Sequence, residues 1–226
     1  MLDKIYLEIT NVCNLDCSFC HKTTRAKKLI SEEEFDILLS KIAGRSKYLF
    51  FHLMGEPTLH PLLPKLIEKA RAAGFLPAIT TNGSLLNQKG EILLSSLPYK
   101  VSISLHAPEA NAAFSDESYL ESCVNFAKEA ACRGCIIALR LWNLGSGADN
   151  SAILNYLHNA FPKEWKDIRG GQSQRLQERI FLEWGERFDW PDPTAPECDP
   201  DSDLFCYGLR DQIGVLCICS SHKRKR

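Results

Sequence analysis

The sequence predicts an α/β fold in which βα units wind into a six-unit (β/α)6 barrel or part of one, followed by a short irregular C-terminal tail. Two observations predict it. Six β-rich segments recur between Lys4 and Gly185, and five of them are followed by apolar residues at helical spacing. That alternation builds parallel sheets through right-handed crossovers. The polar signatures gather where the strand segments end, the side on which barrels and open α/β sheets place their chemistry. Composition agrees: 226 residues, 45% hydrophobic and 24% charged, an ordinary globular balance that excludes disorder for the bulk.

In order, Lys4 to Thr10 is β-rich and ends in the first cysteine loop. Ser31 precedes Glu32-Glu33-Glu34, as helix starts prefer, and Phe35, Leu38, Leu39 and Ile42 follow at helical spacing. Tyr48 to Met54 reads as a buried strand stopped by Gly55-Glu56-Pro57, and Leu62 to Ala73 as a helix closed by Gly74. Leu76 to Thr81 is a strand ending at Asn82-Gly83, with a short helix around Gly90 to Ser95. Val101 to His106 is a strand, then a long helix runs from about Ser118 to Arg133. Cys135 to Trp142 (strand), Ser151 to Phe161 (helix) and Arg179 to Trp184 (strand) complete the pattern. From Pro191 to Asp201 the texture becomes a Pro-rich linker. The expected domains are therefore a core at 1–190 and, at 191–226, the linker and a short tail ending in a basic, solvated Lys223-Arg224-Lys225-Arg226.

The net charge of -1, from 27 Lys+Arg against 28 Asp+Glu, leaves no electrostatic footprint for nucleic acid or an anionic membrane. No apolar run approaches the roughly 20 residues that span a bilayer, and the first residues do not read as a leader. The expectation is a cytoplasmic protein without nucleic-acid or membrane partners. Ten cysteines in a reducing compartment point to metal or catalysis rather than to disulfides.

Cys13, Cys17 and Cys20 place three thiolates within eight residues on a loop leaving a strand. Such a loop fits a cubane iron–sulfur cluster with one iron left open. Two rivals share the residues: a Cys₃His zinc site completed by His21, and the haem c attachment pattern of Cys17-Ser18-Phe19-Cys20-His21. Cys123, Cys132 and Cys135 lack ligand-like convergence and read as packing. Ser102, Ser104 and His106 alternate with apolar residues, so they share one strand face, where polar groups need a partner. Arg140, between Leu139 and Leu141, needs an anion; a ligand carboxylate, Glu183 and Glu56 are the alternatives. Asn82-Gly83 is also a plain turn signal.

Cys-x₃-Cys-x-aromatic-Cys directly after the first strand of a βα repeat resembles the radical S-adenosylmethionine (radical SAM) superfamily. The resemblance implies a partial (β/α)6 radical SAM barrel. It implies a [4Fe-4S] cluster held by Cys13, Cys17 and Cys20, and S-adenosyl-L-methionine chelated to the open iron. The activity it implies is one-electron cleavage of SAM to methionine and a 5′-deoxyadenosyl radical that abstracts hydrogen from a substrate. A flavodoxin- or ferredoxin-type electron donor would be a partner. On the matching positions it places Phe19 near adenine, Gly55, Glu56 and Pro57 at the SAM amino group, Asn82 along the cofactor, Ser104 at ribose or carboxylate, and Arg140 at the SAM carboxylate. Met54 stands where a Gly is commoner. No catalytic residue is assigned.

Phe205 to Leu216 resembles the start of a SPASM or Twitch extension, with Cys206 as first ligand of an auxiliary cluster, and peptides or proteins are the substrate class that this subgroup suggests. After Leu216 the chain departs from that pattern, so a truncated frame and a natural short form are both open. The expectation is that Cys198, Cys206, Cys217 and Cys219 build no second cluster and that the chain from about Asp199 packs loosely. A zinc-binding structural protein and an inactive truncated remnant are the alternatives to an enzyme.

Overall fold

The computed structural model describes residues 2, 4–20, 22–23, 25–111 and 116–186, and by backbone alone the strands at 204–208 and 215–219. The chain divides into two compact units: Met1–Asn14, His21–Ile79 and Trp190–Arg226 form one, Leu15–Cys20 and Thr80–Asp189 the other.

In the first unit, β1 (Lys4–Leu7), β2 (Tyr48–Phe50) and β3 (Leu76–Thr81, whose last two residues fall in the second unit) run parallel, with Ile5 opposite Leu49 and Leu49 opposite Pro77. Helices α1 (Glu32–Ile42) and α2 (Leu63–Ala72) make the crossovers. At the helix start expected after Ser31, Ser31 and Glu34 close a capping box, each side chain accepting from the other's backbone N–H, so two otherwise orphaned donors are satisfied where α1 begins. Phe35, Leu38 and Ile42 of α1 and Leu63, Leu66 and Ile67 of α2 are buried, as are Ile5, Leu7, Leu49 and Phe51 of the strands and the segment beyond β2. Phe35 and Phe51 meet edge to face at 5.5 Å.

In the second unit, β4 (Lys100–Ser104), β5 (Ile136–Leu144) and β8 (Ile180–Glu186) are parallel, with Ser104 opposite Arg140 and Arg140 opposite Glu183. Helices α3 (Leu86–Ser96), α4 (Asp116–Cys132) and α5 (Ser151–Ala160) accompany them. Val101, Ile103, Ile137, Leu139, Leu141, Ile180 and Leu182 are fully buried along these strands. The strand order is β9 (Leu204–Gly208), β10 (Val215–Cys219), β1, β2, β3 in the first unit and β4, β5, β8, β7 (Ser173–Gln177), β6 (Lys166–Asp167) in the second, and neither run closes on itself. This is the expected mixed α/β fold of parallel strands joined by helices. Among the described residues no helix is long and apolar enough to cross a membrane.

Four details differ from the sequence reading. The apolar run from Tyr48 to Met54 keeps only three residues in the ladder. Phe51 stays buried just beyond it, its N–H donating to Ala78 O at 2.8 Å, and the chain then turns into the Gly55 loop. Two strands were not foreseen, β6 (Lys166–Asp167) and β7 (Ser173–Gln177); β7 pairs antiparallel with β8, and β6 antiparallel with β7. Cys132 is exposed, so packing does not account for it; Cys123 and Cys135 are buried, and burial pushes both thiols up to about 12. The tail, expected to be irregular, contains β9 (Leu204–Gly208) and β10 (Val215–Cys219), an antiparallel pair that adds to β1 with Tyr6 opposite Cys217. The linker, Cys198 and the basic end lie outside the described residues, and for Cys206, Cys217 and Cys219 the register alone is described.

Candidate functional site

The predicted site residues fall into both units, and each unit builds its share separately. In the first, β1 leads through Glu8, Ile9 and Thr10 to Cys13. Thr10 Oγ1 donates to Lys28 O at 3.0 Å and accepts from Val12 N at 3.0 Å. Asn11 Oδ1 accepts from Lys28 N at 2.7 Å while its Nδ2 donates to Ala26 O at 2.9 Å. With the Thr10–Leu29 bridge, these bonds draw the chain entering and the chain leaving the cysteine loop into one neck.

The Gly55 turn packs on that neck. Gly55 has φ +77°, and a Cβ there would lie 2.5 Å from Thr10 O and 2.9 Å from Asn11 C, so only glycine fits. Gly55 thus makes its close approach to the chain's own backbone. Glu56 N donates to Val12 O at 2.8 Å, tying the turn to the residue before Cys13. Glu56 is buried, and its Oε1 accepts from Thr58 N at 3.1 Å and Thr58 Oγ1 at 2.7 Å, capping the 3₁₀ turn Pro57–Leu59 that Pro57 opens. Sequence reasoning missed Glu8. It is 4% exposed, accepts from Met54 N at 3.1 Å and pairs with Arg25 Nη2 at 2.7 Å, so one carboxylate joins β1, the Gly55 turn and the segment after the cysteines. A carboxylate inside an otherwise apolar strand end was the available signal.

In the second unit, Tyr119 Oη lies 2.8 Å from Asn82 O and 3.0 Å from Ser104 O, sharing its proton between the ends of β3 and β4. Asn82 Oδ1 accepts from Ser84 N at 2.9 Å and Ser84 Oγ at 2.6 Å, the side-chain turn that Asn-Gly favours. Gly83, at φ +78°, has Cys123 Sγ 2.9 Å from where a Cβ would stand, which is the packing role expected of that thiol. Arg140 is 9% exposed. Its guanidinium carbon stacks 3.3 Å from the Trp142 ring centroid and its Nη1 donates to Thr80 Oγ1 at 3.4 Å. Glu183, its register neighbour, pairs with Lys100 at 2.8 Å. Ser102 is buried and Ser104 half-buried on β4; His106 sits one turn past the strand, its Nδ1 3.4 Å from Trp142 N.

Residues 15–20 of the cysteine loop belong to this second unit. The Phe19 ring lies 5.2 Å from the His106 ring, and Asn111 Nδ2 donates to Cys17 Sγ at 3.2 Å. None of the three thiols is in a disulfide; Cys13 and Cys20 are exposed and Cys17 is half-buried. Burial pushes the Cys17 thiol up, the Asn111 hydrogen bond pulls it back, and Cys20 raises it again. Among the described residues no three His, Cys, Asp or Glu side chains already stand in metal-ligating geometry. The donor set nonetheless fits a cluster: three thiols outside disulfides on irregular backbone, one already receiving the N–H bond that an anionic sulfur ligand takes. His21, the fourth ligand of the zinc alternative, lies outside the described residues.

The Radical SAM superfamily matches residues 7–137, more than half of the chain, and the chain belongs to that superfamily. Its members are enzymes that bind a [4Fe-4S] cluster and SAM and require an electron donor. A tungsten-containing aldehyde ferredoxin oxidoreductase cofactor-modifying protein of Pyrococcus furiosus is 32% identical over 90 residues, 38% of this chain and 25% of that protein. A GTP 3′,8-cyclase of Chlorobaculum tepidum is 32% identical over 109 residues, 46% of this chain and 33% of the cyclase. The chain thus spans about a third or less of these relatives. Streptococcus suis SuiB bound to S-adenosylmethionine superposes with TM-score 0.58 at 15% identity, over 84% of this chain and 41% of SuiB. TYW1 with a lysine-pyruvate adduct bound superposes with TM-score 0.55 at 17% identity, over 96% and 80%. Both similarities speak for the fold.

Proposed function

We propose that Cys13, Cys17 and Cys20 hold a [4Fe-4S] cluster through three irons and leave the fourth to SAM. Bound there, the cluster supplies one electron, from a flavodoxin- or ferredoxin-type donor, that cleaves SAM to methionine and a 5′-deoxyadenosyl radical able to take hydrogen from a substrate. The observation that carries this reading is the trio of cysteines just past β1, none of them in a disulfide, inside the stretch that matches the superfamily.

The chain's own residues bind and orient. Glu56, on the turn that Gly55 and Pro57 shape, receives the SAM amino group. Arg140, stacked on Trp142, takes its carboxylate, with Ser104 opposite it in register. Asn82 and Phe19 line the nucleoside. A peptide or protein is the proposed substrate class, supported by the fold shared with SuiB, which has been crystallised with the precursor peptide SuiA. Residues 1–190 form the radical SAM core and 191–226 an extension, and a reducing cytoplasm suits cysteines that form no disulfide.

Anaerobic reconstitution with iron and sulfide, followed by dithionite reduction with SAM, tests the assignment. About four irons per chain, visible charge-transfer absorbance and release of 5′-deoxyadenosine are expected. Single Cys13→Ser, Cys17→Ser and Cys20→Ser changes abolish the absorbance, whereas Cys123→Ser preserves it. Zinc without acid-labile sulfide, or absorbance that survives Cys17→Ser, overturns the reading.

A further inference from the structure

Asn111 stands at the C-terminal end of the 3₁₀ turn Ala107–Ala110, just past β4, and 94 residues from Cys17 in sequence. Its side-chain nitrogen donates to Ala107 O at 2.8 Å and to Cys17 Sγ at 3.2 Å. The first bond fixes which way the amide faces: turned over, its oxygen would meet the Ala107 carbonyl oxygen, two acceptors with no proton between them. With one amide hydrogen held by Ala107, the other is committed to the sulfur. The Phe19–His106 contact seats the same stretch of the loop on the end of β4. Cys17 is also the half-buried one of the three thiols, so this bond acts in a lower dielectric than a bond to Cys13 or Cys20 would.

We infer that Asn111 tunes the cluster: its N–H donates to the Cys17 sulfur once that sulfur ligates iron, and this raises the cluster's reduction potential. The inference rests on Cys17 being a cluster ligand. A donor aimed at a ligand sulfur stabilises the state with more negative charge on it, which is the reduced state. Asn111 therefore eases the one-electron reduction on which SAM cleavage depends, without touching SAM or substrate.

The test is the midpoint potential of the reconstituted cluster, followed by paramagnetic resonance during redox titration, in the unaltered chain and in Asn111→Leu. Leucine keeps the shape and removes the donor. The expected result is about four irons in both, with the potential lower in Asn111→Leu. At fixed poise the reduced-to-oxidised ratio falls by up to about tenfold, or about 59 mV for a one-electron couple. An unchanged potential with iron retained overturns the inference and leaves the ligand assignment standing. Failure of the unaltered chain to take up a four-iron cluster overturns both. If Asn111→Leu loses its iron, Asn111→Ser, which keeps a shorter donor, decides. Iron near four with a potential below that of the unaltered chain supports the tuning role, whereas an unchanged potential, or equal loss of iron, which assigns Asn111 to loop folding alone, overturns it.

Discussion

Replacing Gly55 by alanine separates two costs that usually arrive together. A non-glycine residue in the left-handed region costs about 1–2 kcal/mol. At Gly55, with φ +77°, the new Cβ also falls 2.5 Å from Thr10 O and 2.9 Å from Asn11 C, and backbone atoms cannot swing aside as a flexible side chain can. Forcing extra volume into a packed site adds about 1–3 kcal/mol. Gly55→Ala should therefore destabilise the chain by about 2–5 kcal/mol. Gly44→Ala is the control, because Gly44 has φ +71° but nothing within 4 Å of its Cβ position, so it incurs the backbone cost alone. The entropy that alanine removes from the unfolded chain is common to both and cancels in the comparison. Urea denaturation of both variants, anaerobic and reduced, reads the difference, expected at about 1–3 kcal/mol. Equal destabilisation by Gly55→Ala and Gly44→Ala would refute the argument that the Gly55 turn is pressed against the neck of the cysteine loop.

Arg140→Ala should weaken SAM binding by about 2–5 kcal/mol, the cost of stripping a buried charge partner from an anion; unchanged affinity by anaerobic calorimetry, with the cluster intact, sinks the carboxylate assignment. His60 makes stability depend on pH. Its Nδ1 accepts from Leu62 N at 3.1 Å, so the proton sits on Nε2, which donates to Ile30 O at 3.0 Å. Burial lowers its pKa from 6.5, and the Ile30 bond offsets part of that. The unfolded chain then binds more protons in acid, so His60's contribution is complete above the ordinary imidazole value and is lost as pH falls below it. His60→Gln should flatten the pH dependence of the urea midpoint on that acid side, and an unaltered slope would count against a buried neutral imidazole.

The βα alternation was legible because helix and strand periodicities are local, as was the capping box, whose two partners lie three residues apart. The position of the Gly55 turn was legible for the same reason, though the partner of its close approach was not: Thr10 and Asn11 are far away in sequence. β7 escaped notice because Ser173–Gln177 is polar and weakly alternating; it exists as a neighbour of β8, with Gly170 and Gly171 making the bend before it. The tail strands, Leu204–Gly208 and Val215–Cys219, are apolar and β-favouring in themselves, but their pairing partner β1 lies at the far end of the sequence, which no local pattern reveals. The contacts that bear most on the cysteines, Asn111 with Cys17 and Glu8 with Arg25 and Met54, are made by ordinary polar residues at ordinary places. Nothing in their spacing marks them, since the fold alone brings them together.

The neck beneath the cysteine loop has a kinetic consequence. Thr10 and Lys28, 18 residues apart, are bonded to each other, so Cys13, Cys17 and Cys20 ride on a short closed ring and not on an open chain. Groups confined to such a ring meet at an effective concentration in the millimolar range, whatever the concentration of the protein. Most of the loop-closure entropy is met by folding of the polypeptide, before any iron arrives. On the proposed assignment, once a first thiolate takes hold of a cluster the other two join it by intramolecular steps, so each molecule would assemble its centre independently of its neighbours.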